Sequence, residues 1–221
     1  MGTVEPADEL RRADEVWARI HDERRALAAD LAGLDEGQWG TASLCAGFSA
    51  RDVLAHLTSG ASLNGVRWMA GVFRCRFDFD KQVAMRLAEQ LGATPADTLA
   101  RFRRVVDGTT KPPLPVVAML GESVVHAEDI RRPLGIRRDY PADVLVRLAT
   151  YYHGSDQVVP ARKRVRDLRL SATDTSFSAG SGPLVSGTTL ALIMAMTGRT
   201  AYCDDLHGDG VDRLRERCPQ P

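Results

Sequence analysis

The stretch that decides the fold reads Val116-Val-Ala-Met-Leu-Gly-Glu122-Ser-Val-Val-His126-Ala-Glu-Asp-Ile130. It is largely apolar, and its length predicts a helix from about residue 116 to 132, ending before a proline and a glycine. Residues four apart on a helix project only about 40° apart around its axis, so Glu122 and His126 can reach one point. The simpler alternative is a solvated ion pair that supports its own helix.

A second histidine gives this pair a further meaning. His56 lies in the middle of an earlier predicted helix that begins at Ser49-Ala-Arg-Asp52, a capping-box pattern. One carboxylate and two imidazoles from neighbouring helices form the ligand set of an open zinc-type site, with a coordination position left for water or substrate. His56 can also be a core histidine with a local hydrogen bond, and Asp52 can cap its helix, support His56, or pair with it in a separate dyad.

Composition limits the class of protein. The chain has 221 residues, of which 44% are hydrophobic, enough for one large domain or two modest ones. The net charge is zero, so no overall field attracts nucleic acid or an anionic membrane. Lysine occurs only at positions 81, 111 and 163, and this arginine bias, with abundant alanine and glycine, suggests a GC-rich bacterial genome.

Cysteine placement and the termini indicate the compartment. The four cysteines lie at positions 45, 75, 203 and 218 and form no CxxC pair, so no zinc ribbon, redox motif or disulfide framework is predicted. The first residues lack the apolar core of a signal peptide, and the longest apolar run, Leu190–Met196, is too short to span a bilayer. We therefore expect a soluble, cytoplasmic protein, and we interpret Cys45 as a packed thiol rather than a reactive one.

Helical periodicity dominates the first 135 residues. The predicted helices cover about 7–32, a segment from Ser49 that continues towards Met69 with weak points at two glycines, and about 80–107 with an interruption at Gly92. The restart at Thr94 carries a cap and a proline at the first helical position. The helix of Glu122 and His126 follows these segments.

The remaining residues have a different character. A fifth helix is predicted over 142–153, strands over 168–172 and between the following turn signals, and helices over 187–197 and 209–217. We predict an α+β protein that is mostly α, with a metal-binding helical bundle at 1–155 and a small α/β C-terminal domain at 156–221.

Three segments resemble a known family. The segment from Trp39 to Leu57 contains Ser-Leu-Cys, Gly-Phe-Ser and Arg-Asp-Val-Leu-Ala-His-Leu in the order found in mycothiol-dependent maleylpyruvate isomerases, with Phe48 where that family usually has tryptophan. The segment from Glu122 to Gly135 resembles the family's second signature, Glu-x-x-x-His-x-x-Asp-x-Arg followed by Leu-Gly. The C-terminal helix that ends in Gly-Arg199 resembles a third.

The resemblance implies a fold, a metal and a cofactor. The N-terminal part is expected to be a DinB-like four-helix bundle that holds a divalent metal, usually zinc, with nickel or iron possible. The ligands carried over are His56, Glu122 and His126. The implied cofactor is mycothiol, the low-molecular-weight thiol of actinobacteria, and the implied partners are this thiol and an electrophilic small molecule.

Metal binding would convert the thiol into a nucleophile. The thiolate would add to a double bond and leave again, giving cis–trans isomerisation, or stay attached, giving S-transfer. Arg199 is the best single candidate for holding a substrate carboxylate, followed by Arg67 and Arg74.

Two other readings remain open. The protein can be a non-catalytic DinB-like metal-binding module for stress response or ligand binding, or the C-terminal part can be a small lipid-carrier-like binding domain with the bundle as scaffold. We expect a monomer or a homodimer.

Overall fold

The computed structural model describes residues 6–219, and it is mostly helical with one small sheet. The predicted α+β class, mostly α, is confirmed. The chain divides into two compact units, the first ending at Arg137 and the second beginning at Arg138.

The first unit is helical. Its helices are α1 (Pro6–Asp30), α2 (Glu36–Trp39), α3 (Ala50–Ser62), α4 (Gly65–Arg74), α5 (Phe79–Gln90), α6 (Pro95–Arg103) and α7 (Val116–Arg131). A short 3-10 turn over Leu31–Gly33 follows α1.

Four of these helices pack together so that each contacts two of the others. Helix α1 packs on α6 and α7, and α3 packs on the same two helices, so α1, α6, α3 and α7 form a four-helix bundle. Buried apolar side chains from the four helices fill its centre. They include Leu27, Val53, Leu54, Leu57, Leu99, Phe102, Ala127 and Ile130, and Leu31 of the 3-10 turn joins them.

Local sequence signals fix where α3 and α6 begin. The Ser49 side chain accepts from the Asp52 main-chain N–H while the Asp52 carboxylate accepts from Ser49, and Thr94 and Asp97 repeat this arrangement. Both predicted caps are therefore confirmed. The predicted continuation of the second helix breaks at Leu63, which is extended, and Asn64 caps α4 as a separate helix.

The second unit combines helices with a three-stranded sheet. Its elements are α8 (Ala142–Gly154), α9 (Ala161–Arg164), β1 (Arg169–Ala172), β2 (Ser178–Gly180), β3 (Leu184–Gly187), α10 (Thr189–Met196), a 3-10 turn (Thr200–Asp205) and α11 (Val211–Glu216). The strand order is β2-β1-β3, with β1 antiparallel to β2 and parallel to β3.

Two features of this unit differ from the predictions. Helix α8 belongs to the second unit because it packs on α10, so the division falls after Arg137 rather than at residue 155. Strand β3 was not predicted, since its four residues follow a glycine-rich turn directly and precede an apolar helix. In the described part of the chain, no helix is both long and apolar enough to cross a membrane.

Candidate metal centre

The three predicted ligands come from two helices of the bundle. Glu122 and His126 lie on α7, and His56 lies on α3, which packs against α7. From Ala118 to Arg131, helix α7 is buried at every position except Glu122 and His126, which are half-buried. Solvent therefore reaches this part of α7 only along the i,i+4 strip that carries the two candidate ligands.

The side chains of the two helices meet at one carboxylate oxygen. Oε2 of Glu122 lies 3.5 Å from Nε2 of His56 and 3.4 Å from Nε2 of His126. The two imidazole rings meet edge to face, with centroids 4.9 Å apart. The structure thus brings together all three residues that the sequence proposed as ligands.

The distances between the ligand atoms of these three residues suit a shared metal ion better than direct hydrogen bonds. One ligand atom from each residue lies within 4.8 Å of the other two. In a tetrahedral zinc site with bonds of about 2.0–2.1 Å, neighbouring ligand atoms stand about 3.3–3.4 Å apart. The two distances to Glu122 match this value, whereas a charge-assisted hydrogen bond would be about 2.7–2.9 Å long. His56, Glu122 and His126 therefore fit a divalent metal.

The electrostatics of the carboxylate favour the same role. Burial alone would raise the pKa of Glu122, but the positive charge of His126 and the nearby imidazoles of His126 and His56 outweigh it. The pKa of Glu122 is therefore held well below its usual value, so the side chain is an anion at neutral pH. An anionic carboxylate is the form that binds a metal.

His126 shows the complementary effect. Burial alone would lower its pKa, but the charge of Glu122, the hydrogen bond with Asp129 and the nearby sulfur of Cys45 outweigh it and raise the pKa of His126 well above its usual value. Without a metal, His126 is a cation that neutralises Glu122. A bound cation would take the place of that proton.

The other nitrogen of His126 has its own partner, Asp129, the aspartate of the signature Glu-x-x-x-His-x-x-Asp, to which the sequence assigned no role. Nδ1 lies 2.8 Å from Oδ2 of Asp129, one turn further along α7, and that side chain is fully buried. Cys45, predicted as a packed thiol, lies on the other side of this carboxylate, with Sγ 3.0 Å from the same oxygen. The available signal was the spacing His-x-x-Asp, which places the two residues on one helix face.

Asp52 caps α3. Its Oδ2 accepts from the Ser49 main-chain N–H at 2.9 Å and from the Ser49 hydroxyl at 2.6 Å. Of the roles left open for Asp52, capping is the one observed.

The predicted arginines lie elsewhere in the chain. Arg199 is a half-buried residue of the second unit, between α10 and the following 3-10 turn, and its Nη1 donates to the Thr197 carbonyl at 3.0 Å. Arg67 on α4 lies 3.8 Å from Glu89 of α5, and Arg74, at the end of α4, is exposed. A substrate-binding role for any of them stays a prediction.

Comparison with known proteins finds a family match in the N-terminal part of the chain. A family model described as the mycothiol maleylpyruvate isomerase N-terminal domain matches residues 20–113. The matched range contains His56 and ends before α7. The family resemblance is therefore confirmed for the N-terminal part of the chain, whereas a search of curated proteins found no match.

Solved structures extend the comparison over the whole chain. Two crystal structures, of a mycothiol-dependent maleylpyruvate isomerase and of its histidine-to-alanine variant, each align with 95% of this chain and 95% of their own. The TM-score is 0.61 and the sequence identity is 15% in both cases. At that identity the likeness establishes a shared fold.

Proposed function

We propose that this protein is a mycothiol-dependent metalloenzyme, either a thiol S-transferase or a maleylpyruvate-type cis–trans isomerase. The proposed metal ligands are His56, Glu122 and His126. The observation that carries the proposal is the spacing of these three residues around one carboxylate oxygen, in a chain whose N-terminal part matches the isomerase domain family.

The ligand set explains why a thiol would be the reactant. Three protein ligands leave one position of a tetrahedral site open, and a divalent ion there would bind a thiol as its thiolate at neutral pH. Glu122 contributes one negative charge and the histidines none. A divalent ion bound by these three residues would therefore keep a net positive charge, which would attract an anionic sulfur. The half-buried strip along α7 offers the sulfur a route from solvent.

Isomerisation and S-transfer share the first step. A thiol that has given up its proton would form a bond from sulfur to an electrophilic carbon, and the electron pair of the double bond would move to the neighbouring carbonyl group. In isomerisation, rotation would follow, the pair would return, and the carbon–sulfur bond would break to release the thiolate. In S-transfer, the sulfur would stay attached, and either a leaving group would depart with its electron pair or the adduct would take up a proton.

Arg199 is our candidate for a substrate carboxylate. Its guanidinium is a planar fork of donors that matches a carboxylate. We expect Arg199→Lys, which keeps the charge but loses the fork, to raise KM for a dicarboxylate substrate more than for a neutral electrophile. Equal effects on both substrates would remove Arg199 from this role.

The decisive experiment is an assay of the zinc-loaded protein with mycothiol and a panel of electrophiles that includes maleylpyruvate. We expect turnover to require added thiol and to be faster with mycothiol than with simple thiols, because the sugar and inositol hydroxyls add binding energy. Turnover without thiol that disappears in Cys45→Ser would replace this mechanism with one that uses a protein nucleophile.

The same assay decides the competing reading. If the protein binds zinc with one ion per chain but consumes no electrophile with any thiol, a non-catalytic metal-binding module is the correct function. A variant with Cys75, Cys203 and Cys218 replaced by alanine is the matched control, since none of these buried thiols belongs to the proposed site. It should keep its activity wherever it folds.

A further inference from the structure

The nitrogen of His126 that faces away from Glu122, Nδ1, also has specific contacts. Nδ1 of His126 lies 2.8 Å from Oδ2 of Asp129, a hydrogen-bond distance. The Asp129 side chain is fully buried, and its main-chain carbonyl accepts from the Leu44 N–H at 3.1 Å. The loop that precedes α3 is therefore joined to α7 at this residue.

Cys45 contacts the same carboxylate from that loop. Its Sγ lies 3.0 Å from Oδ2 of Asp129 and 3.6 Å from Nδ1 of His126. The Cys45 main-chain N–H donates to the Ser43 hydroxyl, whose own hydrogen is directed at the carbonyls of the loop, so the thiol is held in place locally. An imidazole N–H and a thiol thus converge on one buried oxygen.

These contacts have hydrogen-bond lengths, unlike those on the other side of the ring. The separations of 2.8 and 3.0 Å are shorter than the roughly 3.3–3.5 Å expected between ligands of one zinc ion. Cys45, Asp129 and His126 are close enough to be considered a second metal group, but their spacing indicates a hydrogen-bonded set. The two nitrogens of His126 therefore have different roles.

The chemistry of the donors fixes the direction of each bond. An ionised carboxylate only accepts, so both the Nδ1–H of His126 and the thiol hydrogen must point at Asp129. A neutral His126 that keeps its hydrogen on Nδ1 presents a lone pair at Nε2, the atom that faces Glu122 and His56. Carboxylates behind metal-binding histidines set the tautomer and ring orientation in the same way.

We propose that Asp129 and Cys45 are positioning residues for His126. Asp129 fixes its tautomer and ring plane, and Cys45 holds the Asp129 carboxylate in place. The inference rests on the proposed function, because it treats His126 as a metal ligand. It assigns Cys45 a task as a hydrogen-bond donor and so explains a thiol beside the site without making it a nucleophile.

Zinc affinity and the Nδ1–H signal of His126 test this assignment. Zinc dissociation constants are measured by chelator competition, and the Nδ1–H proton of His126 is observed by NMR in zinc-loaded, 15N-labelled protein. Asp129→Asn, Cys45→Ala and Cys45→Ser are compared with two controls from the same bundle. Asp30→Asn disturbs the ion pair of Asp30 with the fully buried Arg131, and Cys75→Ala removes a buried thiol outside the site.

We expect a graded outcome. Asp129→Asn should weaken zinc binding about 10–100-fold and shift or broaden the Nδ1–H signal, because an amide can present its N–H₂ to the ring and no longer enforces the tautomer. Cys45→Ala should weaken it about threefold, at the low end for one hydrogen bond because an S–H is a weak donor, and Cys45→Ser should restore it, since a hydroxyl also donates. Both controls should keep the wild-type zinc affinity at a temperature where they are folded.

Two results overturn the proposal. Wild-type zinc affinity and an unchanged Nδ1–H signal in Asp129→Asn exclude Asp129 as a positioning residue. Should that variant fail to fold, equal zinc affinities for wild type and Cys45→Ala exclude the Cys45 contact. A wild-type protein that binds no zinc, nickel or iron refutes the proposed function itself, a result distinct from both.

Discussion

Helices α10 and α7 are both buried, but they differ in whether their buried side chains are ionisable. Helix α10 in the second unit is apolar after its first residue, Thr189, and seven of its eight residues are buried, with only Leu190 half-buried. Its start is capped by the Thr188 hydroxyl, and its end is followed by Gly198 with φ of 98°. Such a helix contributes stability through burial and carries no ionisable side chain.

Helix α7 in the first unit is buried as deeply but carries ionisable side chains. Glu128, Asp129 and Arg131 are all buried, and Glu122 and His126 lie on the half-buried strip. Burying such groups is costly unless each has a partner, as Arg131 has in Asp30 and His126 has in Asp129. The difference shows that deep burial alone does not identify a functional site. What distinguishes α7 is a set of buried polar groups arranged around an opening to solvent.

The largest effect on metal binding is expected when either histidine is removed. His56→Ala and His126→Ala should each abolish stoichiometric divalent metal, because two ligands cannot hold the ion as three do. Helical content by circular dichroism should stay largely unchanged. Metal is measured by elemental analysis after purification, and full occupancy in His56→Ala contradicts the ligand assignment.

Leu192→Ala is the matched substitution on α10. Leu192 is fully buried, so its truncation should lower the free energy of unfolding by about 2–5 kcal/mol. Metal stoichiometry of the folded protein should remain at one. Loss of metal with no loss of stability in this variant would mean that the two helices do not divide these tasks.

A finer test separates the two carboxylates that the sequence placed near the histidines. Glu122→Gln keeps the side-chain shape but removes the charge, so zinc affinity should fall by more than about 100-fold, beyond the usual effect of residues behind the ligands. Asp52→Asn should leave zinc affinity unchanged and lower the free energy of unfolding by about 0.5–1 kcal/mol, because Asp52 serves the cap. Chelator competition and urea denaturation measure the two quantities. The reverse order of effects would make Asp52 and His56 the functional pair.

A change that needs no substitution is the dependence of metal affinity on pH. The raised pKa of His126 means that the metal-free protein holds a proton there at neutral pH, while the lowered pKa of Glu122 means that its carboxylate is already ionised. Zinc must displace that proton, so affinity should increase about tenfold per pH unit and level off above the pKa of His126. Calorimetry in buffers of different ionisation enthalpy should show release of about one proton per zinc at pH 7. Zinc binding without proton release would mean that the ion is not bound by Nε2 of His126.

Local interactions made much of this protein predictable from its sequence. The caps at Ser49 and Thr94, the break at Gly92 and the span of α7 depend on residues at most four apart, and the structure has each of them. The positions of Glu122 and His126 on one face of α7 follow from helix geometry alone. The resemblance of three short segments to one family added the four-helix topology of the bundle and the thiol cofactor, whereas His56 was already a ligand candidate from its place in a predicted helix.

Only the tertiary structure decided the rest, because it depends on contacts between distant parts of the chain. The approach of α3 to α7 sets the 3.5 Å between His56 and Glu122, and the loop before α3 brings Cys45 onto Asp129. The packing of α8 on α10 moves the division of the chain to Arg137, and β1 pairs in parallel with β3 although β2 lies between them in the sequence. A sequence pattern records which faces are apolar, but the packing of the bundle determines which polar side chains meet.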